Sequence, residues 1–119
     1  MNTNLFPKLK DRPQSEKEIT QEIRGYLTMR GIFHWKNWGG PIGEKGISDI
    51  LGVFRGLAIC FEIKTKKGHV SYEQLRFLKR VNSSGGLGLV LRSLEDIIEV
   101  VKWLENGKDL SLLREKFSN

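Results

Sequence analysis

Ser48-Asp-Ile-Leu-Gly-Val-Phe-Arg-Gly-Leu-Ala-Ile-Cys-Phe-Glu-Ile-Lys64 holds two apolar runs on either side of Arg55-Gly56. Ser48 to Phe54 and Leu57 to Lys64 read as strands. The dipeptide between them reads as a tight hairpin turn, though a weaker signal than Asn-Gly. Carried back from that turn, the register sets Phe54 against Leu57 and Asp49 against Glu62. Directly opposed residues have Cβ atoms roughly 4.5–5.5 Å apart. Two carboxylates at that spacing repel, and a divalent cation is the simplest offset, because hard cations take carboxylate oxygens. Alternation along the strand puts Lys64 on the same face as Glu62, roughly 6.6 Å further on. The hairpin thus gathers Asp49, Glu62 and Lys64 into an acid pair with a cation beside it.

Such a set suits phosphodiester cleavage. The substrate is already anionic, so the reaction needs a nucleophilic water and neutralisation of the charge that develops. A bound divalent ion lowers the pKa of its water and clamps phosphate oxygens. A neighbouring lysine orients the water or stabilises the transition state.

Around the hairpin, the chain reads as α-β-β-β-α-β-α. Ser15 with Glu18 forms a capping box ahead of Ile19, Ile23, Tyr26 and Leu27, and Gly31 fits the helix stop. Ile32 to Trp38 is an aromatic-rich strand, followed by a glycine-rich loop from Gly39 to Gly46 that suits a mobile flap. Ser71 with Gln74 opens a second helix through Leu75, Leu78 and Val81. Leu87 to Arg92 is a strand, Ser93 caps a helix carrying Ile97, Ile98, Val101 and Leu104, and a short helix over Leu110 to Phe117 is the weakest element. The fold class is α/β with a mixed sheet. Residues 1–14 read as a flexible arm and 15–119 as one domain.

The helices contribute to the site. Glu16 lies within about 35° of the first helix's apolar stripe, and Glu18 about 125° from it, at 100° per residue. An acid on an inward stripe is costly without a partner, so Glu16 is assigned to the site and Glu18 to capping. Gln74 falls among Leu75, Leu78 and Val81. It has two readings, as the capping-box partner and as a contact to the site or to phosphate.

Composition agrees. Lys plus Arg number 20 against 14 Asp plus Glu, a formal charge of +6, which suits a polyanionic partner such as DNA. Cys60 is the single cysteine, so no internal disulfide forms, and its apolar neighbours make it a buried thiol. His34 and His69 lie far apart with no cysteine beside either, which argues against zinc. Gly43-Glu44-Lys45 lacks the Gly-Lys-Ser or Gly-Lys-Thr end of a phosphate-cradling loop. Met1 to Lys10 lacks the apolar stretch of a signal peptide, and no run is long enough to span a membrane. The expectation is a soluble, cytoplasmic protein.

Gly46-Ile47-Ser48-Asp49 followed by Phe61-Glu62-Ile63-Lys64 resembles the split D…ExK signature of the PD-(D/E)xK nuclease superfamily. The glycine-led start, Lys66-Lys67-Gly68 and Ser71-x-x-Gln74 look like its VRR-NUC branch, whose small stand-alone members resemble Holliday-junction resolvases. The resemblance covers about residues 15–104. It implies a restriction-endonuclease-like αβββαβ core and magnesium or manganese held by Asp49, Glu62 and the Ile63 carbonyl. It also implies Lys64 beside the attacking water and an acid on the first helix, at Glu16 with Glu18 as fallback. Ser48 stands where the superfamily name has proline, which that branch commonly lacks.

The expected function is a metal-dependent endonuclease acting on DNA, with branched DNA as substrate. The alternatives are a non-catalytic nucleic-acid-binding module on the same fold and a sequence-specific restriction enzyme. A homodimer is expected, since paired cuts on a junction need two sites. Trp35, Trp38, Leu110, Leu112, Leu113 and Phe117 are the candidate contacts.

Overall fold

The computed structural model describes residues 12–38 and 46–119. The first helix, α1 (Glu16–Met29), starts from the capping box: the Ser15 hydroxyl accepts from the Glu18 N–H, and the Glu18 carboxylate accepts from the Ser15 N–H. Its buried stripe is Ile19, Thr20, Ile23 and Leu27. Past the Arg30 cap the chain turns at Gly31, whose φ of +71° suits a residue without a Cβ. Arg12 and Gln14, just ahead of α1, bond to Glu18 and Glu22 on it.

Four strands follow, β1 (Phe33–Lys36), β2 (Ile50–Phe54), β3 (Leu57–Ile63) and, after helix α2 (Tyr72–Ser83), β4 (Leu87–Leu91). They lie in the order β1-β2-β3-β4. The first three form an antiparallel meander, and β4 joins β3 in parallel through the α2 crossover, so the sheet is mixed as expected. The strands are shorter than the apolar runs suggest. The expected flap, residues 39–45, lies outside the described residues, as do residues 1–11.

Helices α3 (Leu94–Glu105) and α4 (Leu110–Lys116) complete the chain. On one side of the sheet Ile50, Ile59, Phe61, Ile63, Leu87, Leu89 and Leu91 meet α1, α3 and α4 in the main core. On the other side α2 sets Leu78 against Cys60 and Val90, with Phe77 and Val81 beside them. Strand β4 is buried along its whole length and β3 over its last five residues, which explains their continuous apolar runs.

Leu113 and Phe117 are 1% and 6% exposed and pack into this core, so they are not a dimer contact as expected; only Leu112 of the C-terminal set stands out. The Phe117 carbonyl also accepts from the Val90 N–H at 2.8 Å and covers part of the outer edge of β4. Trp35 and Trp38 remain exposed. Among the described residues no helix is long and apolar enough to cross a membrane.

Candidate active site

The hairpin register is the one the turn dictates: Phe54 pairs with Leu57 and Ile50 with Phe61. One step further along, Asp49 and Glu62 come together at the end of the ladder. The Asp49 carboxylate accepts from the Ile63 N–H at 2.8 Å through Oδ2, and its own carbonyl accepts from the Asn37 N–H. Asp49 is thereby fixed to both neighbouring strands.

Glu62 is 2% exposed. Its Oε2 accepts from the Gln74 side-chain amide at 2.8 Å, and Lys64 Nζ stands 4.0 Å from the same oxygen. Oε1 is buried without a hydrogen-bond partner. Burial and then the charge of Asp49 push the Glu62 carboxyl up to about 9; Lys64 opposes the shift and Glu16 adds to it. Lys64 is itself largely buried, with a side chain 14% exposed.

Gln74 takes both of its readings at once. Its Oε1 accepts from the Ser71 N–H in the capping box while its Nε2 donates to Glu62. One amide, with a donor and an acceptor end, therefore ties the start of α2 to the site.

Glu16 departs from expectation. It is exposed in the first turn of α1, not set on a buried stripe. The helical projection gives its angle, but at the N-terminal turn no neighbouring element among the described residues buries it. Its charge nevertheless acts on Glu62. Glu18 is engaged elsewhere: its bond to Arg12 and the Ser15 N–H hold its carboxyl down at about 2.

The described residues contain no group of three His, Cys, Asp or Glu side chains placed to hold a metal ion. The oxygen set at Asp49 and Glu62 is two carboxylates beside the Ile63 main chain. Two features of it fit a hard cation: a buried Glu62 oxygen without a partner, and a second acid, Asp49, whose charge disfavours the ionised form of Glu62.

Sequence reasoning missed Arg92. Its Nη1 donates to the carbonyls of Thr65 at 2.6 Å and Gly68 at 2.9 Å, pinning the turn that follows Lys64. No local pattern signals a contact between a strand end and a turn so distant in sequence. Lys66, Lys67, His69 and Arg92 line a cavity of about 360 Å³ beside that turn. Gly46, which ends the glycine-rich loop and leads the Gly46-Ile47-Ser48-Asp49 motif, also has a packing reason. A Cβ there would lie 2.5 Å from the Glu73 carbonyl, so the end of the loop sits directly on α2.

No protein-family model matches the sequence, and no curated protein matches it. Solved structures do. One, a VRR_NUC domain protein, superposes with a TM-score of 0.62 at 12% identity, over 82% of this chain and 93% of the other. At that identity the likeness speaks for architecture alone: the chain shares the fold of that VRR_NUC domain protein, with a mixed four-stranded sheet flanked by helices.

Proposed function

We propose that the chain is a divalent-metal-dependent endodeoxyribonuclease, acting on branched DNA such as Holliday junctions and working as a homodimer. The observation that carries the reading is Glu62: a buried acid, placed against a second acid and a lysine, with one oxygen left without a partner. A structural role alone would not select that arrangement, because an unpaired buried carboxyl lowers stability.

In this reading Asp49, Glu62 and the Ile63 carbonyl would hold magnesium or manganese. The ion, when bound, supplies an activated water and charge neutralisation at the phosphate. Asp49, anchored through Oδ2, would be held in place for ligation. Gln74 fixes the rotamer of Glu62 by donating to Oε2. Lys64, on the same sheet face, orients the attacking water and faces the charge that develops on the phosphate. Glu16, whose charge acts on Glu62 from the first turn of α1, would be the helix acid of the site. The net charge of +6 draws the polyanion to the surface.

The test is cleavage of a panel of four-way, flap and linear DNAs with magnesium, manganese or chelator. Asp49→Asn should abolish cutting with the fold intact, because it removes charge and little volume. Lys64→Ala should cost on the order of 10²-fold in rate, the usual scale for one group acting on developing charge. Wild-type rates for both variants would overturn the assignment.

A further inference from the structure

One sheet face changes from apolar to acidic without a break. Phe33 and Trp35 on β1 pair with Val53 and Leu51 on β2, and those with Ala58 and Cys60 on β3. The next positions along the same face are Asn37, Asp49 and Glu62. Helix α2 covers the β3 and β4 half through Leu78, Phe77 and Val81, and Leu51 of β2 packs against the edge of that cluster. Beyond it, among the described residues, the face is exposed at Phe33 (68%), Trp35 (43%) and Val53 (43%). The two rings support each other, with centroids 5.4 Å apart and planes tilted by 50°. Trp35 lies diagonally across from Asp49, a relation of roughly 7–8 Å in an antiparallel pair.

We infer that Phe33 and Trp35 form a stacking shelf for unpaired bases of a single-stranded segment of DNA whose backbone runs past Asp49 and Glu62. The course of the strand rests on the nuclease reading; the stacking itself does not. Aromatic side chains hold single strands by stacking on exposed base faces, which a duplex keeps covered by its own neighbours. The alternative occupant is a second copy of the chain. Charge favours the nucleic acid, since a chain of net charge +6 attracts a polyanion. A second copy seated on the shelf would also overhang the carboxylates, which substrate must reach. The shelf adds a specificity element to the site: the nucleotide beside the cut is unpaired.

Binding of a labelled single-stranded oligonucleotide and of a blunt duplex, followed by anisotropy in chelator so that neither is cut, tests the inference. Trp35→Ala should weaken single-strand binding about tenfold or more and duplex binding less than about twofold, given the usual worth of base–aromatic stacking. Trp35→Phe should retain most of the affinity. Equal loss on both ligands, or loss on neither, would overturn the shelf. So would sedimentation showing that Trp35→Ala dissociates a dimer while single-strand affinity stays unchanged. Because no cleavage is read, the result is separable from the Asp49→Asn test of the nuclease assignment.

Discussion

Glu62 decides the electrostatics of the site. Its folded-state carboxyl is raised from an ordinary 4.5 to about 9, so the buried protonated form is the favoured one. The stability it contributes is complete below the ordinary value and is lost as pH rises toward about 9. Thermal melts in chelator across that window should show the wild-type Tm falling with pH and that of Glu62→Gln staying flatter. Parallel slopes would show that Glu62 is not the titrating group. Glu16 and Glu18 make a second test. Glu16→Gln should reduce metal-dependent cleavage several-fold with little change in Tm. Glu18→Gln should leave cleavage nearly unchanged, since glutamine also serves in a capping box. The opposite result would move the helix acid to Glu18. The meeting of Asp49 and Glu62 was legible in the sequence because a two-residue turn leaves the register no freedom. The double contact of Gln74 was not, because residue type does not say whether one amide serves two partners.

Among the elements, the β2–β3 turn bends through two residues in the left-handed region, Arg55 at φ +48° and Gly56 at φ +86°. That conformation suits the right-handed twist of the strands, but for a residue with a long side chain it costs roughly 1 kcal/mol. The Arg55 guanidinium over the Phe54 ring, 4.8 Å from its centroid, returns a part. Arg55→Asn should therefore raise stability by about 0.5 kcal/mol in urea unfolding, because asparagine tolerates this region. A loss would mean that the ring contact outweighs the backbone. Helix α2 approaches the sheet closely because Gly88 presents no side chain; a Cβ there would lie 2.9 Å from the Leu78 carbonyl. That approach helps bring Gln74 within reach of Glu62. Caps and apolar periodicity located α1, α2 and α3 from sequence. The last helix was faint because only seven residues form it, and its burial depends on Leu113 and Phe117 docking far along the chain.

At the scale of the whole molecule, burial decides which faces a second copy can use. With Leu113 and Phe117 inside the core, the C-terminal face offers a second copy little beyond Leu112. Light scattering at micromolar concentration, with and without a four-way junction, should show a dimer at least on the junction. A monomer in both would favour single-strand nicking over paired cuts. The hairpin that builds the site also has a kinetic side. Its turn lies at one end and its two acids at the other, so pairing that spreads from Arg55-Gly56 meets like charges last. Isolated hairpins close in roughly 1–10 μs, fast enough for such a late barrier to register in the refolding rate. Refolding followed by stopped-flow tryptophan fluorescence should slow in chelator as the acids ionise and recover with magnesium, and Asp49→Asn should remove the pH dependence. A rate indifferent to pH and to magnesium would place the meeting of Asp49 and Glu62 after the transition state. If instead the rate responds, a divalent ion would act on the closing of the hairpin as well as on the proposed chemistry.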